Sequence, residues 1–194
     1  MMNLVEHENQ QSMKVWLSSE EVNQLVSHPD ETEKQIAYGL GCLCGLRSHE
    51  ILQVKPSHVK NTQIGHMVSV PEGKGDKYRE TPIPERLATQ ITTVGDVRES
   101  NESVVSLKTT RGLRSWIQKT RQSLAAETES NDWRYLSMHD LRRTWATQLS
   151  SCDVDPLLVV EWGGWNDLET FLDHYKGPYT PEGQRREREK VEWL

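Results

Sequence analysis

The sequence predicts a mainly α fold with a small antiparallel β-sheet, an α+β chain built as one domain. Three observations predict it. From Ser18 onward, apolar residues recur at helical spacing in segment after segment. Short extended runs occur in one place, on either side of Gly73-Lys74-Gly75-Asp76-Lys77. The 194 residues are 35% hydrophobic and 27% charged, with no Gly/Ser-rich or proline-rich tract. That composition excludes a disordered chain and suits one well-buried core rather than two full domains.

Taken in order, Ser18 and Glu21 have the spacing of a capping box, which opens an amphipathic helix with Val22, Leu25 and Val26 on one face, ending near Pro29. Residues 1–17 are expected to be an N-terminal tail. A second helix over 31–43 carries Ile36, Ala37, Leu40 and Leu43. Gly45 stops it before a short helical turn holding Arg47 and Glu50, which Pro56 ends. The runs 67–70 and 78–83 flank the Gly-Lys-Gly tip and read as a β-hairpin, the one sheet the sequence shows clearly. Beyond it the pattern is helical over 85–93, 110–127, 138–151 (after the Asn131-Asp132 break), 155–162, and 166–175 (after Gly163-Gly164). The segment 181–194 is a charged tail or helix with an apolar tip, Val191-Glu192-Trp193-Leu194. No internal repeat suggests a solenoid.

No apolar run approaches the roughly 20 residues of a membrane span. Met1 to Gln11 is polar and acidic rather than signal-like, so a cytoplasmic protein with no membrane partner is expected. Cys42, Cys44 and Cys152 are odd in number, and the first two lie in an apolar stretch. They support neither a disulfide framework nor a zinc site. The net charge of −6 argues against nucleic-acid binding unless a basic face is hidden in the average. An acidic remainder is also what proteins of a high-salt cytoplasm carry, which suggests an archaeal, haloarchaeal-type source.

Five residues stand out chemically. Arg47 follows Gly45-Leu46, Lys74 sits between two glycines, His139 and Arg142 are one helical turn apart, and Tyr175 lies on a helix near the C-terminus. Two guanidiniums suit the clamping of one phosphate, because each offers a planar fork and a charge that cannot be lost. Histidine exchanges protons near neutral pH. Each residue also has an ordinary reading: a solvated or capping pair for His139 and Arg142, a core tyrosine beside Phe171 and Leu172, a solvated turn lysine.

Order and context join them. Gly45-Leu46-Arg47-Ser48-His49-Glu50-Ile51 resembles the first box of the tyrosine recombinases, the phage integrase family. Gly73-Lys74-Gly75-Asp76-Lys77 with Arg79 and Pro82-Ile83-Pro84 is similar to that family's lysine-bearing hairpin. Met138-His139-Asp140-Leu141-Arg142-Arg143-Thr144 resembles its second box, and Gly163-Gly164-Trp165-Asn166-Asp167 its glycine-histidine box. The helix to Tyr175 resembles the segment that delivers the nucleophile. Two departures are present. Trp165 stands where histidine is commoner, so an indole N–H replaces a group able to shuttle protons. The step from Trp165 to Tyr175 is one position longer than is usual in the family. Tyr179, beyond the helix-breaking Gly177-Pro178, is the fallback nucleophile.

The resemblance implies the catalytic-domain fold of DNA breaking-rejoining enzymes over residues 18–180. It also implies cleavage of double-stranded DNA at attachment sites through a 3′-phosphotyrosyl bond to Tyr175, with no cofactor and no metal. Arg47 and Arg142 would hold the non-bridging oxygens, Lys74 would protonate the leaving 5′-oxygen, and His139 would assist the proton on the tyrosine. Trp165 would pack and donate, and Glu50 would orient this group or lie as a plain surface glutamate. A homo-tetramer on DNA, a monomer free in solution and an accessory DNA-bending or clamp subunit are the implied partners. The clamp subunit would stand for the N-terminal core-binding domain that the sequence is not expected to contain. Three alternatives remain: a catalytically idle DNA-binding regulator of the same fold, a Trp-rich assembly protein that never touches DNA, and a type IB topoisomerase.

Overall fold

In a computed structural model, residues 2–6, 13–70, 78–97, 102–174 and 181–193 are described. The chain begins with two strands, β1 (Asn3–Glu6) and β2 (Met13–Trp16), paired antiparallel with Leu4 opposite Val15. The stretch read as an N-terminal tail thus contains a strand pair. Val15 and Trp16 are buried, and β2 is tied to a helix far along the chain: Val15 N–H donates to Asp140 (3.2 Å) and Leu17 N–H to the Thr144 hydroxyl (3.0 Å). Four-residue strands carry little periodicity of their own. Their stability comes from a partner met only in three dimensions.

Helix α1 (Ser19–Ser27) opens on the expected capping box, with Ser18 N–H donating to Glu21 (2.8 Å) and Glu21 N–H to the Ser18 hydroxyl (3.3 Å). Helix α2 (Thr32–Cys42) follows and is buried from Ile36 to Cys42. It runs through the middle of the larger apolar core, which gathers Leu25, Ile36, Leu40, Ile51, Ile91, Leu113 and Leu124. Burial pushes the Cys42 thiol up to about 12 and Cys44 well above its ordinary range, so both are inert apolar packing.

The short α3 (Ser48–Ile51) leads through a 3-10 turn (Pro56–His58) into a three-stranded antiparallel sheet in the order β3 (Val59–Thr62), β4 (Gly65–Val70), β5 (Arg79–Pro82). β4 and β5 are the expected hairpin. β3 is an addition whose Val-Lys-Asn-Thr sequence lacks the alternation of a buried strand because it lies at the sheet edge. Pairing of Val70 with Arg79 sets the register that turns Arg79 and Thr81 inward. Helices α4 (Glu85–Val97) and α5 (Thr110–Glu127) and a second 3-10 turn (Asn131–Tyr135) close the larger core.

Helix α6 (Met138–Ser151) packs along α2 and β2, while α7 (Pro156–Gly163) and α8 (Leu168–His174) enclose a smaller core of Trp145, Ala146, Val159, Trp165 and Phe171. Helix α9 (Pro181–Glu189) returns to the turn after α6, where Arg186 donates to the Ser151 carbonyl and to Asp153 (2.8 Å). Trp193 beyond it is exposed. No helix among the described residues is long and apolar enough to cross a membrane. The mainly α reading with small antiparallel sheets therefore holds.

Candidate functional site

The site forms where the two cores meet, around the carboxyl end of α7. Gly164 caps that helix in the left-handed conformation (φ 64°), which glycine adopts without steric cost. The carbonyls of a helix C-terminus carry partial negative charge and lack intrahelical donors. Here three consecutive carbonyls each receive a different arginine. Arg79 Nε donates to Trp162 O (2.9 Å), Arg142 Nη2 to Gly163 O (2.5 Å), and Arg47 Nη2 to Gly164 O (3.0 Å).

Arg142 comes from the middle of α6 and is 1% exposed. Besides Gly163 it reaches back to the Gly45 carbonyl through Nη1, so its plane spans the turn before Arg47 and the end of α7. Its guanidinium carbon sits 4.2 Å from the centroid of the Trp165 ring. This cation–π contact is inside the low-dielectric core, where such contacts are strongest. Trp165 is itself held by Trp145 (ring centroids 6.0 Å apart) and Phe171 (5.1 Å). Trp165 is thus a wall for Arg142. Its N–H serves as a donor only.

Arg47 is half-buried at the mouth of this cluster and caps α3. Glu50, one helical turn on and 1% exposed, accepts both the Arg47 backbone N–H (2.7 Å) and Arg47 Nη1 (2.9 Å). The same carboxylate accepts Arg79 Nη1 (2.8 Å) and Nη2 (2.7 Å) as a bidentate fork. Burial alone would raise the Glu50 carboxyl. The hydrogen bonds and charge of Arg79, joined by those of Arg47, override burial and hold it at about 2.

That depression makes a stability prediction. A carboxyl lowered from 4.5 to about 2 on folding stabilises the native state above pH 4.5, and the contribution is lost as pH falls through that interval. Each tenfold change in proton affinity is worth ~1.4 kcal/mol, so roughly 3 kcal/mol is at stake. Urea unfolding midpoints should fall steeply between pH 4.5 and 2 in the natural protein. Glu50→Gln, with Arg79 left without its counter-charge, should start less stable and show a flatter curve over that range. Equal slopes would remove Glu50 from the account.

Of the residues that stand out in the sequence, Arg47, Glu50, Arg142 and Trp165 meet here. His139 lies exposed in the first turn of α6, one turn ahead of Arg142. Lys74, Tyr175 and the fallback Tyr179 lie outside the described residues. In the sequence, Arg79 is visible only as part of a hairpin pattern. One signal could have revealed more: in a strand whose alternate residues are buried, an arginine on the inner face requires a buried counter-charge. An open cavity of about 510 Å³ fronts the cluster, lined by Arg47, Met67, Arg79, Trp162, Gly164 and Trp165 among others. Among the described residues, no group of three or more His, Cys, Asp or Glu is arranged to hold a metal ion.

Comparison with known proteins gives a consistent result. The model of the phage integrase family matches residues 15–180. No curated protein matches the chain by sequence. Among solved structures, XerA recombinase superposes with a TM-score of 0.71 at 18% identity, over 90% of this chain and 64% of that one. The integrase of the Tn1549 transposon, in complex with transposon right end DNA, gives 0.71 at 15% identity over 95% and 68%. XerH recombinase, in a post-cleavage complex with a palindromic difH substrate, gives 0.64 at 21% over 92% and 52%. The chain thus spans about half to two-thirds of the length of these proteins, and shares their fold.

Proposed function

From the premise that this chain belongs to the phage integrase family, we propose that it is a tyrosine-type site-specific DNA recombinase that cleaves and rejoins double-stranded DNA. Tyr175 Oη attacks a backbone phosphorus in line, the bond to the 5′-oxygen breaks, and a 3′-phosphotyrosyl ester forms while the leaving oxygen takes a proton from Lys74. His139 assists removal of the tyrosine proton. Attack by another 5′-hydroxyl reverses the step, so the bond energy is kept. Arg47 and Arg142 neutralise the charge that builds on the non-bridging oxygens of the pentacoordinate transition state.

The observation that carries this reading is the convergence of Arg47 and Arg142, from separate elements, on the adjacent carbonyls Gly164 and Gly163, with Trp165 against Arg142. Two guanidiniums held in place at one turn, Arg47 lining the open cavity and Arg142 buried behind it, suit one phosphate, because donors set before the reaction need no reorganisation during it. The family match supports it further, since residues 15–180 include Lys74 and Tyr175. A tetramer on DNA, with the tail after Tyr175 docking on a neighbouring protomer through Val191, Trp193 and Leu194, is the proposed working state. A clamp subunit is proposed to close the far side of the DNA.

The test is a nicked suicide DNA substrate carrying candidate attachment sites, incubated with the natural protein and with Tyr175→Phe, then resolved on a denaturing gel. We expect a covalent adduct that is absent in the variant. An adduct that persists would move the nucleophile to another tyrosine, Tyr179 first. DNA binding without any adduct across a range of salt concentrations would replace the recombinase by a DNA-binding regulator.

A further inference from the structure

Arg79 is a buried guanidinium to which the reaction proposed above gives no task. It is 7% exposed on the inner face of β5, and all three of its nitrogens are engaged: two on Glu50 and one on Trp162 O. Its charge is met by Glu50 through a bidentate fork, which Arg47 shares by one side-chain nitrogen and Arg142 not at all, so it is the guanidinium of the three whose charge is most fully spent inside the protein. A buried ion pair is on average close to neutral for stability, because desolvation offsets attraction. Stability alone is therefore a weak account of why a charge pair occupies this position.

The geometry of the shared carboxylate supplies a better one. Glu50 Oε1 accepts both Arg79 Nη1 and Arg47 Nη1, and Oε2 accepts both Arg79 Nη2 and the Arg47 backbone N–H. The plane of the Arg79 fork thus sets the plane of the carboxylate, which sets the Arg47 side chain. A third contact, to Trp162 O, refers the whole to the α7 carboxyl end that also receives Arg47 and Arg142. We propose that Arg79 is a positioning residue for DNA cleavage: it fixes Arg47 through Glu50 and ties β5 to the α7 turn. Its importance for catalysis rests on the recombinase reading; its effect on Arg47 does not. Lysine cannot replace it, because an ammonium lacks the fork that meets both carboxylate oxygens and a carbonyl at once.

The test compares the natural protein with Arg79→Lys and Arg79→Met, each checked for folding by thermal melting. Where either variant fails to fold, Glu50→Gln/Arg79→Gln, with two neutral amides in place of the ion pair, is read for the Arg47 signal and cleavage rate. Adduct formation is measured at saturating suicide DNA, DNA affinity separately, and the Arg47 guanidinium by ¹⁵N NMR of the free protein, assigned with Arg47→Lys. Arg79→Lys should cleave roughly 10–100-fold more slowly at unchanged DNA affinity, the range usual for residues that support a reactive group. The Arg47 signal should lose its restricted, resolved form. In Arg79→Met, Glu50 keeps its burial and loses its main counter-charge, so it protonates at higher pH. The cleavage rate should then rise with pH over a range where the natural protein is flat, and Arg79→Met/Glu50→Gln should abolish that rise. A folded Arg79→Lys with an unchanged Arg47 signal overturns the proposal, whatever its cleavage rate. If the natural protein forms no adduct but the Arg47 signal collapses in Arg79→Lys, the positioning stands and the recombinase reading fails.

Discussion

Replacing Arg142 by lysine should slow adduct formation at saturating DNA by about 10²–10³-fold, the loss usual for one donor preset toward developing charge. The side chain is 1% exposed, bridges the Gly45 and Gly163 carbonyls and lies against the Trp165 ring. Lysine keeps the charge, yet a single ammonium cannot reach both carbonyls and still face a phosphate oxygen. Alanine would be a poorer probe. It would leave two buried carbonyls short of a donor, at about 1–3 kcal/mol each, and would confuse unfolding with lost chemistry. Single-turnover rates with a suicide substrate, beside a DNA-binding isotherm, separate the two effects. A lysine variant that cleaves at the natural rate would take Arg142 out of the reaction.

A large stability loss from a single methyl group should come from Gly45→Ala. Gly45 has φ 68°, where a side chain costs about 1–2 kcal/mol. An added Cβ would also lie 2.5 Å from Cδ2 of Trp145 and closer still to Cε3, in a buried ring stacked on Trp165. Overpacking of this kind costs about 1–3 kcal/mol. Together these predict a loss of roughly 2–5 kcal/mol and a fall in melting temperature of roughly 5–15 °C. The carbonyl of the same residue accepts Arg142, so cleavage by the folded fraction should fall as well. A melting temperature within about 2 °C of the natural protein, checked by calorimetry at ~1 mg/ml, would mean that the Trp145 stack yields far more easily than a close-packed interior does.

The long helices were legible in the sequence because their periodicity is local. The expected ranges 110–127 and 138–151 coincide with α5 and α6, and the Ser18–Glu21 capping box announced α1. The strands β1, β2 and β3 were not legible. Each is four residues long, and β2 owes its place to Asp140 and Thr144, more than a hundred residues away. Within the site, Arg47, Glu50, Arg142 and Trp165 could be picked out because each sits in a box with neighbours of its own. Arg79 could not, since its role appears only once strand register turns it toward Glu50. The carbonyls of Trp162, Gly163 and Gly164 carry no side-chain signal, and only the fold reveals them as acceptors.

The three carbonyls in sequence, each matched to an arginine from a different part of the chain, make the α7 turn a gauge of phase. One residue inserted or deleted within α7 would rotate its end by about 100° and move it along the helix axis by about 1.5 Å. All three acceptors would then miss their donors at once. Point substitutions around the turn can be absorbed singly, whereas a change of length cannot. In chimaeras with relatives of this fold, the segment should transfer only as a block, together with the strand that carries Arg79, the part of α6 that carries Arg142 and the turn from Gly45 to Arg47. An exchange that moves one of these parts alone should give a folded protein whose arginines are out of step.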